Sequence, residues 1–220
     1  MNLFSVFDPS SYYGFSLNWM IIGMIMMIFP MKFYYIGSGS QNIFSTLLKQ
    51  IDKMFSEIAG SSKLAMVFVC TVTFLYLMMS NLMGLFPSVF TSTAHPMMTM
   101  GLGLVFWFSF FMMGWMKNFK MSAAHLVPEG SPIYLSPLMV MIESISHLMR
   151  PFTLSIRLAA NMMAGHLIIS LLASISLMSF LGFSSSIFLQ SVLLLLEFGV
   201  SIIQGFVFSI LILLYALEYY

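Results

Sequence analysis

The chain has 220 residues, 60% of them hydrophobic and 7% charged, with a mean hydropathy of +0.99, whereas a water-soluble domain carries about 25% charged residues. Eight Lys and Arg against seven Asp and Glu leave a formal net charge of +1, which excludes the basic patch that an electrostatic nucleic-acid partner needs. Lipid and other membrane proteins are the partners such a composition implies. The single cysteine, Cys70, lies in an apolar run, so no intrachain disulfide and no cysteine-based metal site are expected.

Met1 to Ser11 contains Asp8 but neither a basic n-region nor an Arg/Ser-rich presequence, so the first apolar helix is expected to be retained. With 24 methionines standing where Leu or Ile would serve, this start fits synthesis inside an organelle. A backbone in lipid must be helical and needs roughly 20 apolar residues to cross. The 23 uncharged residues between Asp8 and Lys32 supply a first span, about 12–30, with Pro30 as its terminator. Gly37 to Ser62 differs in kind. Ile43, Phe44, Leu47, Leu48, Ile51, Met54, Phe55 and Ile58 recur at helical spacing with the charges elsewhere on the wheel, which predicts an amphipathic helix lying in the interface over 39–60.

Lys63 and Lys117 bracket 53 uncharged residues, too many for one crossing. The Pro87 to Pro96 segment divides them into spans at 64–85 and 97–116. Lys32, Lys49, Lys53, Lys63, Lys117 and Lys120 then share one side by the positive-inside rule, and the N-terminus faces the other. A polar connector from His125 to Pro132 follows. Beyond it the chain is apolar over 133–181, turns at Gly182 to Ser186, and is apolar again over 186–217. Forty-odd helical residues would extend about 60 Å, twice the hydrocarbon thickness. The predicted fold is therefore an all-α membrane protein, one domain over 1–220. It has about five transmembrane helices and one interfacial helix, and its last two helices form a long, strongly tilted hairpin kinked or broken only where Pro151 permits.

That hairpin carries Glu143, His147, Arg150, Arg157, His166 and Glu197. An Arg, Lys or Asp near the bilayer centre costs about 2.5–3.5 kcal/mol on insertion scales, so each intramembrane charge is a functional candidate. At about 100° per residue, His147, Arg150, Arg157 and Asn161 fall within about 40° of Glu143 on either side. They form one polar stripe, provided that Pro151 does not rotate the helix. His166, nine residues beyond Arg157, points about 180° away. On the return arm Gln190, Glu197 and Gln204 recur every seven residues, with Ser201 one turn past Glu197, and make a second stripe able to meet His166 or the Arg157 face. Glu and His exchange protons near neutral pH when their surroundings tune them, whereas Arg does not deprotonate. Carboxylates and imidazole can thus relay protons while a fixed guanidinium blocks a direct leak.

Blander readings stand beside these. Arg150 also reads as an interface anchor, His147 as a local partner of Glu143, His95 and His125 as solvated loop residues, and Arg157 with Glu197 as a neutralising salt bridge. No phosphate loop, metal-protease helix or Ser/His/Asp arrangement occurs, so no hydrolytic site, cofactor or metal is expected.

The block Arg157-Leu-Ala-Ala-Asn161-Met-Met-Ala-Gly165-His166-Leu resembles the signature of subunit a of rotary F-type ATP synthases in its mitochondrial form. Further matches occur in family order at Asn81-Leu-Met-Gly-Leu-Phe-Pro87, Leu126-Val-Pro128-Glu129-Gly-Ser-Pro132, Ile142-Glu143-Ser-Ile-Ser146, Arg150-Pro151, Leu196-Glu197 and Ile203-Gln204-Gly-Phe-Val-Phe208. The resemblance implies a non-catalytic stator subunit of the inner mitochondrial membrane, N-terminus toward the intermembrane space and C-terminus toward the matrix. Its partners would be a ring of c subunits and other membrane-sector and peripheral-stalk subunits. It implies that Arg157 faces the ring carboxylates beside Asn161 and Gln204, that His166 and Glu197 line the intermembrane-space half-channel, and that Glu143 lines the matrix half-channel. The family is more permissive at His147 and Arg150, so no essential role carries over to them. The first 60 residues match it by pattern only. A proton-pumping respiratory-complex subunit and a structural membrane scaffold are the competing readings.

Overall fold

The computed structural model describes residues 7–8, 16–28, 38–60, 64–86, 89–117, 119–127, 133–176 and 180–219. Among these residues every regular element is helical: α1 (Ile21–Ile28), α2 (Gly39–Ala59), α3 (Leu64–Gly84), α4 (Pro96–Lys117), α5 (Phe119–His125), α6 (Ser136–Ser176) and α7 (Phe180–Tyr219), with short 3-10 turns before α1, α4 and α6. Four of them, α3, α4, α6 and the Gly182–Glu218 part of α7, are long and apolar enough to cross a membrane. The expected first span is represented by Leu17–Met20 and α1. Its flanks at 12–15 and 29–30, Lys32, Lys63 and the connector residues 128–132 lie outside the described residues.

Helix α2 shows why a segment so rich in polar residues is helical. The Ser38 hydroxyl accepts from the Gln41 backbone N–H at 3.4 Å while the Gln41 side chain accepts from the Ser38 N–H at 3.0 Å, so two amide donors at the helix start are satisfied reciprocally. Gly60 ends the helix at φ 77°, in the left-handed region that favours glycine. The apolar stripe is divided between two environments. Ile43, Leu47 and Met54 stay exposed. Phe55, however, is fully buried, with its ring 6.2 Å from Phe74 of α3 and 6.0 Å from Phe206 of α7. Helix α2 is therefore bolted to the bundle as well as amphipathic.

The core joins α2, α3, α4, α6 and α7 through Phe55, Val67, Phe74, Leu77, Phe110, Leu158, Phe208 and Leu213. Close approach rests on glycine. A Cβ on Gly103 of α4 would collide with the Ser155 hydroxyl of α6, and one on Gly205 of α7 would lie 3.4 Å from the Met78 nitrogen of α3. Small residues at such crossings substitute dispersion contacts for the hydrophobic drive that is missing in lipid. Helical hydroxyls fold back onto their own carbonyls, as at Ser80 to Leu77 and Ser209 to Phe206 (2.9 and 2.8 Å), so no polar group is turned toward lipid there.

The long first arm of the hairpin is helical as expected, and the reading of Gly182 to Ser186 is revised. Helix α6 runs unbroken through Pro151. The missing amide hydrogen leaves the His147 carbonyl without its helical donor, and the Ser155 hydroxyl donates to the Pro151 carbonyl at 2.8 Å. Gly182 to Ser186, read from sequence as the turn, are instead helical residues near the start of α7, whose first residue is Phe180. The serines are accommodated because Ser185 and Ser186 donate to the Gly182 and Phe183 carbonyls at 3.1 and 2.9 Å. Helix α5 was not anticipated at all. Trp107, Phe111, Trp115 and Phe119 form a continuous aromatic ladder, at 5.2, 5.3 and 4.9 Å between centroids, that carries α4 into α5.

Candidate functional site: polar groups along the hairpin

Arg157 lies at the middle of α6 and is exposed. Its side of the helix also exposes Thr153, Ile156, Ala160, Asn161, Ala164, Ile168, Leu171 and Ile175, an apolar and small-residue face interrupted by one guanidinium and one amide. Arg157 and Glu197 take part in none of the ion pairs found among the described residues, so the expected alternative of an Arg157–Glu197 salt bridge is not what forms. Asn161, one turn on, donates from Nδ2 to Oε1 of Gln204 on α7 at 3.4 Å, and the Gln204 Nε2 is buried without a partner.

Glu197, also on α7, packs against α6 at Gly165, one turn beyond Asn161. A Cβ at Gly165 would come within 2.6 Å of the Glu197 Cδ and closer still to Oε1, so the absence of a side chain at 165 makes the recess that holds the carboxyl. Its Oε1 is buried with no hydrogen-bond partner. His166, the next residue, is half-buried, has its Nε2 in the same condition, and meets the Phe7 ring edge-on at 6.4 Å. The two stripes expected on the hairpin thus meet at two levels, Asn161 with Gln204 and Gly165 with Glu197.

Near the same end of the bundle the structure adds groups that sequence reasoning left out. The segment after α3 folds back over α6, burying Thr91, Ser92, Thr93 and Ala94, and Ala94 clusters with Phe7 and Met162. Thr93 Oγ1 and His95 Nε2 are buried without partners, and the His95 ring lies 5.3 Å from Trp19 and 5.1 Å from Phe90. The expectation of a solvated loop histidine is corrected by this aromatic packing; the His125 side chain lies outside the described residues. Asn81 of α3 donates to the Ser201 carbonyl at 3.4 Å while its Oδ1 is buried and unpartnered. Buried polar atoms are normally satisfied by protein or by ordered water, and those of Asn81, Thr93, His95, His166 and Glu197 have no protein partner.

The opposite end of α6 holds a denser arrangement. His147 Nε2 lies 3.3 Å from Glu143 Oε1 and 3.9 Å from Oε1 of Glu218, the residue next to the last of α7. Arg150 reaches Glu143 Oε1 at 3.7 Å and donates to Glu218 Oε2 at 2.5 Å, with its guanidinium 5.3 Å from the Tyr215 ring centre. The local Glu143–His147 pair expected from spacing is present. Arg150, expected as an anchor, bridges two helices instead. Glu218 was missed because a carboxylate two residues from the end of the sequence reads as a solvated tail, and no local pattern signals that an antiparallel partner brings it back. The polar stripe of α6 is therefore divided. Glu143, His147 and Arg150 face the end of α7, whereas Arg157 and Asn161 are exposed. Along the helix axis, at about 1.5 Å per residue, Glu143 lies about 21 Å to one side of Arg157 and His166 about 13 Å to the other.

Residues 14–216 match the family described as ATP synthase A chain. Over 219 residues the chain is 40% identical to ATP synthase subunit a of Drosophila melanogaster, spanning 99% of this chain and 98% of that one. Similar matches are found with ATP synthase subunit a of Artemia franciscana (40% over 218 residues, 99% of both chains) and of Apis mellifera ligustica (41% over 219 residues, 99% and 96%).

Proposed function

The chain belongs to the ATP synthase A chain family, and from that premise we propose how it conducts protons as the stator channel subunit of the mitochondrial enzyme. The respiratory-complex alternative falls with that membership. The observation that carries the mechanism is Arg157: a permanently charged, exposed guanidinium, free of any ion pair among the described residues, on a stripe of mostly apolar and small residues. A charge so costly in lipid requires a partner outside this chain, and a passing carboxylate on a ring of c subunits meets the requirement.

Two water-filled half-channels end on either side of Arg157. The entry side uses His166 and Glu197, whose buried polar atoms lack protein partners, as do those of Thr93, His95 and Asn81 toward its mouth. The exit side uses Glu143. Asn161 and Gln204, bonded to each other, keep the ring-facing surface polar beside Arg157. A proton entering by Glu197 neutralises a ring carboxylate, rides the ring through lipid, and leaves near Glu143 when Arg157 attracts the carboxylate as an anion. Arginine cannot deprotonate, so it separates the two half-channels without conducting. Each charge moved through the membrane potential supplies about 2.3 kcal/mol per 100 mV.

The chain forms a single domain of five spans, with a tilted α6–α7 hairpin pressed on the ring. Its N-terminus faces the intermembrane space, where protons enter, and its C-terminus with Glu143 faces the matrix. ATP formation occurs in another subunit, and this chain needs neither cofactor nor metal. Other membrane-sector and peripheral-stalk subunits, and lipid, cover the remaining faces. Proton-driven ATP synthesis in membranes carrying Arg157→Ala at normal assembly levels tests the reading. Synthesis is expected to vanish; synthesis near the wild-type rate overturns the role of Arg157 and favours a structural scaffold.

A further inference from the structure

We infer that His147 is a proton relay between Glu143 and Glu218, so that the exit path crosses from α6 to the end of α7. The inference rests on the proton-path reading above and adds two residues and a direction to it.

The geometry at His147 is that of a bridge. One ring atom, Nε2, faces both carboxylates, 3.3 Å from Glu143 Oε1 and 3.9 Å from Glu218 Oε1. The His147 side chain is 9% exposed, whereas the Glu143 and Glu218 side chains are 33% and 37% exposed, so the histidine occupies the dry stretch between two wetter groups. Arg150 takes Glu218 Oε2, which leaves Glu218 Oε1 directed at the imidazole, and it approaches Glu143 at Oε1, the oxygen that also faces Nε2. Tyr215 lies beneath the guanidinium. From α4, Trp107 and Phe110 line the adjoining cavity, with Gly103, Pro151, Leu154, Ile212 and Tyr215; at about 10 Å³ it is near the size of one water. The charged and titratable groups around His147 are therefore Glu143 and Arg150 on α6 and Glu218 and Tyr215 on α7.

The transfer balances without a change of tautomer. Protonated Glu143 gives its proton to Nε2 and becomes a carboxylate, while Nδ1 keeps its own hydrogen. The resulting imidazolium gives the same proton to Glu218 Oε1 and returns to its starting form, and Glu218 releases the proton to water. Arg150 remains protonated throughout and cannot serve as the carrier. The 3.9 Å gap closes by a small side-chain rotation or through one water, within the reach required of a transfer partner.

The test uses assembled enzyme in inside-out inner-membrane vesicles and follows ATP-driven proton uptake from the medium, which contacts the matrix face, as its pH is varied. His147→Gln keeps size and polarity but cannot carry a proton, and Glu218→Gln removes the acceptor at an exposed helix end. Positioned proton-transfer groups contribute about 10²–10⁴-fold to the step they serve. Each variant is therefore expected to slow uptake at least about tenfold and to change the shape of its pH profile. A merely structural role lowers the rate by one factor at every pH, and that result, or wild-type behaviour of either variant, overturns the relay. Arg157→Ala is measured alongside. If it abolishes uptake while the other two variants run at the wild-type rate or keep the wild-type pH profile, only the relay fails; if it too runs normally, the underlying proton-path reading fails.

Discussion

Gly165→Ala isolates the recess that holds the Glu197 carboxyl. The added methyl would lie 2.6 Å from the Glu197 Cδ and 3.1 Å from its Cγ, against an ordinary carbon contact of about 3.5–4.0 Å. Glu197 must therefore retreat by about 1 Å, or α6 and α7 must separate. The local backbone works in the other direction: alanine favours a helix interior over glycine by about 1 kcal/mol, offsetting part or all of the roughly 1–3 kcal/mol of overpacking strain. The complex is thus expected to assemble with nearly unchanged thermal stability. Misplacing a reacting group by about 1 Å costs on the order of a hundredfold in rate, so proton-driven ATP synthesis per assembled complex should fall by one to two orders of magnitude. Gly165→Ala with Glu197→Asp, shorter by one methylene, should remove the collision, and comparison with Glu197→Asp alone isolates it. Synthesis is measured under an imposed proton gradient, with assembly quantified on native gels. A Gly165→Ala complex that assembles and runs at the wild-type rate refutes the argument that glycine at 165 sets the position of Glu197.

Gly103→Ala directs a methyl onto the Ser155 hydroxyl across the α4–α6 crossing and should lower the thermal stability of the purified complex, by about 1–3 kcal/mol of strain. Adding Ser155→Ala removes the colliding oxygen and leaves its Cβ at 3.6 Å, so the double variant should recover most of that loss; no recovery would place the strain elsewhere. Phe55→Ala empties a fully buried site between Phe74 and Phe206. It is expected to cost about 3–5 kcal/mol and to detach α2, read as faster protease cleavage within 39–59 of the assembled complex, whereas Ile43→Ala, at an exposed position, should leave cleavage unchanged.

The sequence by itself determined the long helices and the candidate chemistry. The apolar helices follow from where charges are missing, because lipid admits only helical backbone with its polar groups bonded internally, and the amphipathic α2 from the spacing of its apolar residues. That constraint holds residue by residue and needs no knowledge of neighbours. Arg157, Glu143, His166 and Glu197 were likewise visible, since an ionisable group within an apolar run is conspicuous in one dimension. Gly182 to Ser186 misled for a related reason: glycine and serine mark turns in water, but hydroxyls bonded to helix carbonyls are at home in a membrane helix.

Tertiary structure decided which groups meet. Periodicity put Glu143, His147, Arg150, Arg157 and Asn161 on one stripe, yet the antiparallel packing of α7 divides it, giving the first three residues a partner in Glu218 and leaving Arg157 exposed. The Glu197 recess depends on an absent side chain at Gly165 on another helix, and His95 is packed by Trp19 and Phe90 rather than by solvent. These are contacts between segments up to about 76 residues apart in sequence. Helical pattern fixes the direction of a side chain around its own axis, but only the register between packed helices fixes what stands opposite it.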